Sequence, residues 1–165
     1  MKVLILSGYG INCENETLHA FEVVGFEGKI VHINDLIQNP KQLNNYQVFA
    51  IPGGFSYGDD TGSGNAMAKK IMTNLYDQLI DFSSRDKLII GICNGCQILI
   101  NLGLVPSLNK KDPEVAMIEN KSGSYECRWV NVKVNNNKRT LLKFQISSRL
   151  ENHNKFFSKP RWEIV

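Results

Sequence analysis

Short apolar runs alternate with amphipathic stretches over the first hundred residues, and that alternation predicts an α/β chain. Lys2 to Ser7 is an apolar strand running into Gly8-Tyr9-Gly10. Asn12-Cys13-Glu14-Asn15-Glu16 supplies a cap and first-turn acids to a helix carrying Leu18, Phe21 and Val24, which ends at Gly25. Lys29 to Ile33 is the second predicted strand, with His32 one polar position in it, and a polar segment around Asn39-Pro40 leads to a third strand, Val48 to Ile51. Met67, Ile71, Leu75, Leu79 and Phe82 form one helical stripe over Asn65 to Phe82, read as core. Leu88 to Ile92 is a continuous apolar run of the kind that fills a buried parallel strand, and the helix after it carries Ile98, Leu99 and Leu102 and stops near Gly103.

Beyond Pro106 the pattern loosens. Val115 to Ile118 and Tyr125 to Val134 read as two further strands separated by the polar loop Glu119 to Ser124. Asn135-Asn136-Asn137-Lys138 is a hairpin or a disordered turn, the pattern weakens from Thr140, and Ser147 to Val165 shows neither period. With 165 residues and 42% apolar content, a single domain over 1–165 is expected, with 135–165 as an uncertain tail. The net charge of +3 comes from 19 basic and 16 acidic residues mixed along the chain, which argues against a nucleic-acid partner. Four irregularly spaced cysteines, no signal pattern and no long apolar run predict a reduced, cytoplasmic protein with no membrane contact. His19, His32 and His153 stand apart from any second ligand at metal spacing, so no metal site is expected.

The candidate chemistry begins at Gly91-Ile92-Cys93-Asn94-Gly95, where an apolar strand turns into a helix with a cysteine at the apex. This is the layout of a nucleophile elbow with Cys in place of Ser. A helix N-terminus favours a thiolate, and its free amides, that of Asn94 above all, face an oxyanion formed when the thiolate attacks a carbonyl. Two other readings stay open at this point: a buried structural cysteine, and a Cys93-Asn94-Gly95-Cys96 redox pair. The loop Pro52 to Asp60 ends the third strand and therefore shares the sheet edge with Cys93. Its Gly53-Gly54 pair is either a plain turn or the source of a second oxyanion donor. The loop Gly8 to Asn12 has neither a third glycine at dinucleotide spacing nor a P-loop lysine, so a nucleotide site is rejected.

Four blocks in order carry a resemblance that covers residues 1 to about 134: Asn12-Cys13-Glu14; Pro52-Gly53-Gly54-Phe55-Ser56-Tyr57-Gly58-Asp59; Gly91 to Gln97 with Leu102 to Pro106; and Asn120 to Trp129. Together they resemble the glutaminase subunits of phosphoribosylformylglycinamidine synthase, class I glutamine amidotransferases of purine biosynthesis. The resemblance implies a flavodoxin-like fold, a mostly parallel sheet flanked by helices. It implies that Cys93 attacks the side-chain amide of L-glutamine, that a γ-glutamyl thioester forms, and that ammonia passes to a partner. Gly54 and Asn94 would donate the oxyanion amides, while Phe55 and Gln97 would hold glutamine; Asn120, Ser122 and Arg128 would make substrate-side or interface contacts. The implied partners are a large synthetase subunit and a small bridging subunit. No cofactor is implied for this chain, ATP and magnesium being used by the synthetase.

The family's His-x-Glu motif, expected well downstream of the nucleophile, is not found in these 165 residues: His153 is followed by Asn154 and Lys155 and reads as a surface histidine. A C-terminally incomplete fold with impaired turnover is therefore expected. A non-catalytic assembly module and a different cysteine hydrolase of similar topology are the alternatives. Cys96 is a further departure, standing where a bulkier residue is expected and on the same helix side as Cys93.

Overall fold

The structure, a computed structural model, describes residues 1–105, 115–117, 122–124, 129, 132–134, 144–146 and 163–164. Four parallel strands form one sheet in the order β2-β1-β3-β4: β1 (Lys2–Ser7), β2 (Glu27–His32), β3 (Val48–Ile51) and β4 (Leu88–Gly91). Ile5 pairs with Ile30, Val3 with Val48 and Ile51 with Gly91, so the strands end nearly level and their following loops share one edge.

Side chains alternate along a strand, and the two central strands bury both faces. Leu4, Leu6, Phe49 and Ile51 face a core built with α2 (Ile33–Gln38), α3 (Asn65–Asn74), α4 (Tyr76–Ser84) and α5 (Asn94–Asn101). Val3, Ile5, Val48 and Ala50 form the opposite core, which Leu18 and Phe21 of α1 (Glu14–Val23) join. The chain thus leaves β1 toward one face and β3 toward the other, and the loops diverge between two adjacent strands. That divergence is where open α/β sheets place their ligand crevice.

Several elements differ from the sequence expectation. Strand β2 starts at Glu27, and Ile33 already belongs to α2, a helix not expected there. His32 explains the change: its Nδ1 accepts the Asn34 amide at 3.2 Å and caps the helix. The stripe from Met67 to Phe82 is buried as predicted, but the helix breaks at Leu75 (φ −134°, ψ −2°). Thr73 and Asn74 bond back to the Lys69 and Lys70 carbonyls at 2.9 and 2.7 Å, in competition with helix propagation. Strand β4 is half-buried rather than buried, because it is the sheet edge among the described residues.

Val115–Met117 form no strand, which corrects the run predicted from Val115; so short a run needs a partner ladder to persist. The Tyr125 to Val134 expectation survives as β5 (Val132–Val134), while Trp129 is fully exposed and outside any strand. β5 pairs antiparallel with β6 (Phe144–Ile146), in the stretch where the pattern weakens, and β6 with β7 (Glu163–Ile164), in the stretch that shows neither period. Asn120, Cys127, Arg128, the 135–138 turn and His153 lie outside the described residues.

Candidate active site

Cys93 stands at the start of α5 with φ 53° and ψ −112°. This is the first central position of a II′ turn, a conformation suited to glycine, and holding a side chain in it stores about 1–3 kcal/mol of strain. The flanking glycines serve a different purpose from the one their sequence suggests, since neither Gly91 nor Gly95 has positive φ. A Cβ on Gly95 would run into the Ile51 carbonyl, and one on Gly91 would stand 2.5 Å from the Gly95 carbonyl. Both glycines let α5 sit directly on the ends of β3 and β4. Cys93 itself makes the turn, and its side chain is exposed at the top of the sheet.

The amides of the first turn divide into used and unused. Gly95 N–H donates to the Ile92 carbonyl at 2.9 Å, and the Cys96 and Gln97 amides both donate to the Cys93 carbonyl at 3.0 and 3.2 Å. Asn94 N–H has no acceptor among the described residues, as expected at a helix N-terminus. The Pro52 to Asp60 loop supplies the second such donor. Gly53 carbonyl accepts the Asn12 and Cys13 amides at 3.2 and 3.3 Å, and Phe55 N–H donates to the Gly10 carbonyl at 2.7 Å. Between them Gly54, at φ 150°, keeps its N–H without an acceptor among the described residues. A Cβ added to Gly54 would collide with the Gly10 carbonyl, so only glycine fits there. The loop runs against the elbow: a Cβ on Gly53 would lie 3.4 Å from the Cys93 Cβ and 3.5 Å from the Cys13 Sγ.

A buried carboxamide joins the two pieces. The side chain of Asn94 is fully buried; its Oδ1 accepts the Ser56 amide at 3.1 Å, and its Nδ2 donates to Asp59 Oδ1 at 3.2 Å and to Gln97 Oε1 at 2.9 Å. Asp59 Oδ1 also accepts the Gly64 amide at 3.3 Å, which ties the loop to the start of α3. Sequence reasoning named Asn94 for its backbone only and missed Asp59 and Ser56. The available signal was an acid next to a glycine in a loop already placed beside the nucleophile. Tyr57, Gly58 and Asp59 have φ of 55°, 70° and 55°, a run of left-handed residues that turns the acid inward.

Gln97 is half-buried and joins this group, whereas Phe55 is 67% exposed at the loop's outer side. Tyr9 stands near, its ring 5.2 Å from those of His32 and Tyr57 with Lys70 Nζ 5.0 Å above it. Cys96 is buried and Cys93 exposed, and both are free thiols, so they differ in setting despite their spacing. Burial, and after it Cys93, pushes the Cys96 thiol above its ordinary value; burial, Glu16, Cys93 and Glu14 push up Cys13 in that order. His32 is occupied in capping α2, and His19 is exposed on α1. Among the described residues no group of three His, Cys, Asp or Glu side chains is placed to hold a metal ion, and no helix is long and apolar enough to cross a membrane.

A family model described as CobB/CobQ-like glutamine amidotransferase domain matches residues 1–151. Over 136 residues the chain is 56% identical to the phosphoribosylformylglycinamidine synthase subunit PurQ of one Methanococcus maripaludis strain, covering 81% of this chain and 50% of that one. The Dehalococcoides mccartyi subunit of the same description is 44% identical over 135 residues, 82% of this chain and 53% of its own length. A solved structure of PurLQS from Thermotoga maritima superimposes with a TM-score of 0.65 at 36% identity, covering 82% of this chain and 56% of that one. The chain spans about half the length of the curated relatives it matches.

Proposed function

The chain belongs to the CobB/CobQ-like glutamine amidotransferase domain family, and from that premise we propose that Cys93 is the nucleophile of a glutaminase that supplies ammonia for formylglycinamidine ribonucleotide synthesis. The Cys93 sulfur attacks the side-chain carbonyl carbon of L-glutamine, and the carbonyl electrons move onto oxygen. Collapse of that tetrahedral species breaks the carbon–nitrogen bond, releases ammonia and leaves a γ-glutamyl thioester, which water hydrolyses to glutamate and the free thiol. The observation that carries the reading is the pair of acceptorless amides, Gly54 and Asn94, beside the strained cysteine. Each such donor contributes about 100-fold to 1,000-fold when a carbonyl becomes an oxyanion. Gln97 and the Phe55 loop hold the glutamine.

Among the described residues no histidine bonds to Cys93, and none of the three histidines is followed by an acid two residues on. Proton delivery to the leaving nitrogen, a contribution of about 100-fold to 10,000-fold, is assigned to a group outside the described residues. The proposal extends to a large synthetase and a small bridging subunit as partners, which the relatives' names as a synthase subunit and as part of PurLQS support, and to a role in purine biosynthesis in the cytoplasm. On this reading ATP and magnesium are used by the synthetase, and no cofactor is assigned to this chain. The test is ammonia release from L-glutamine in a mixture with both partner subunits. Release that depends on Cys93 and is lost in Cys93→Ala is expected; equal release from the two proteins contradicts the proposal.

A further inference from the structure

We propose that Asp59 is a positioning residue for the glutaminase reaction: acting through the Asn94 carboxamide, it fixes the loop that carries the Gly54 amide against the elbow that carries Cys93. The inference rests on the proposed function above. A carboxamide is nearly symmetric in shape and opposite in chemistry at its two ends, so a buried one needs neighbours that select its orientation. Asn94 has them. Ser56 N–H is a donor and requires the oxygen; Asp59 Oδ1 accepts and requires the nitrogen. The two demands hold the loop at Ser56 and at Asp59, just beyond Phe55, whose N–H donates to the Gly10 carbonyl. Gly54 is thereby pinned from both directions, on one side by the Gly53 carbonyl on the Asn12 and Cys13 amides and on the other by Phe55 N–H on the Gly10 carbonyl and Ser56 N–H on Asn94.

The same selection passes to Gln97. With Nδ2 of Asn94 facing it, Gln97 must offer Oε1, and its own Nε2 hydrogens are left facing away from Asn94. Asp59 thus orders two side-chain amides and one backbone amide without itself touching the substrate. Without its carboxylate, Asn94 is free to flip, Ser56 N–H faces a donor, and the Gly54 amide loses its register with Asn94 N–H. A misplacement of about 1 Å at a reacting centre costs on the order of 100-fold.

The experiment compares two reagents at Cys93, read peptide by peptide by mass spectrometry on the whole chain. The first is 2-amino-6-chloro-5-oxohexanoate, a glutamine-shaped chloroketone whose carbonyl carbon stands where glutamine's own does, so that its oxygen sits where the oxyanion forms while the thiolate displaces chloride. The second is methyl methanethiosulfonate, which transfers a methylthio group and expels methanesulfinate with no carbonyl involved. Asp59→Gly removes the carboxylate and suits the φ of 55°. Asp59→Asn keeps an acceptor oxygen and tolerates the same backbone.

Asp59→Gly is expected to slow the chloroketone about tenfold to 100-fold and to leave the methanethiosulfonate rate within about twofold, with Asp59→Asn restoring most of the loss. Chloroketone labelling that survives in Asp59→Gly overturns the proposal, and so does a parallel fall with both reagents, which marks a merely structural role. If Asp59→Gly does not fold, Asp59→Ser, whose shorter side chain withdraws the acceptor from Asn94 Nδ2 while keeping a polar residue in the loop, carries the same expectation. Wild-type labelling that L-glutamine does not protect is a separate result, overturning the proposed function and this inference with it.

Discussion

The two ends of the same four strands are built on opposite principles. At the amino edge the amides at the strand starts are spent: Glu27 N–H donates to the Met1 carbonyl, Gln47 to Lys2 and Leu88 to Gln47, each at 2.9 Å, and Lys2 N–H donates to Gln47 Oε1 at 2.7 Å. An exposed Lys2–Glu27 pair at 3.2 Å decorates it, and a cavity of about 410 Å³ opens there between Lys2, Lys29 and Tyr46. At the carboxyl edge the Gly54 and Asn94 amides have no acceptor among the described residues, and three of the four described non-glycine residues with positive φ, Tyr57, Asp59 and Cys93, cluster within the two loops. Strain and unspent donors mark the reactive end, where hydrogen bonds have been left for a visitor to complete.

The contrast can be broken most severely at Gly95. Gly95→Ala drives a Cβ into the Ile51 carbonyl, and because backbone cannot swing aside as a side chain can, a loss of more than about 3 kcal/mol is expected by urea denaturation. The opposite sign is expected at the apex. Cys93→Gly relieves the φ of 53° at an exposed site and should raise stability by about 1 kcal/mol while abolishing glutamine-directed labelling.

Alkaline pH probes the layer beneath. The Cys96 thiol is pushed up from 9.0, first by burial and then by Cys93. An unfolded chain ionises this group near 9.0 while the fold resists, so its contribution is whole below that value and is lost as pH rises through the folded one. The urea midpoint of Cys96→Ala should therefore fall less steeply than that of wild type above pH 9.0. At the amino edge the smallest effect is expected: Lys2→Ala, breaking a pair whose side chains are 51% and 73% exposed, should shift stability by less than about 0.5 kcal/mol.

Periodicity exposed the sheet because four apolar runs of similar length were separated by glycine-bearing loops, and it located Cys93 and Gly54 because parallel strands put their following loops together. It did not expose α2, whose start depends on a histidine folding back onto its own chain, nor the break at Leu75, which comes from Thr73 and Asn74 bonding to local carbonyls. Both are local side-chain choices with no period. The tie between Asp59 and Asn94 spans 35 positions and became visible only in three dimensions. The role of Gly91 and Gly95 was misread for a related reason: glycine at a turn suggests backbone freedom, whereas here the missing Cβ makes room for a backbone carbonyl, that of Ile51 at Gly95 and that of Gly95 at Gly91.

The central claim is that the strained cysteine between two open amides is directed at glutamine, and competition at Cys93 tests it most directly. The rate of chloroketone labelling at Cys93 is measured with increasing L-glutamine and, separately, with D-glutamine, following Cys13 and Cys96 in the same digest. Selective modification of Cys93 that L-glutamine suppresses and D-glutamine does not is the predicted result. Modification spread over Cys13 and Cys93 alike, indifferent to either isomer, would contradict it.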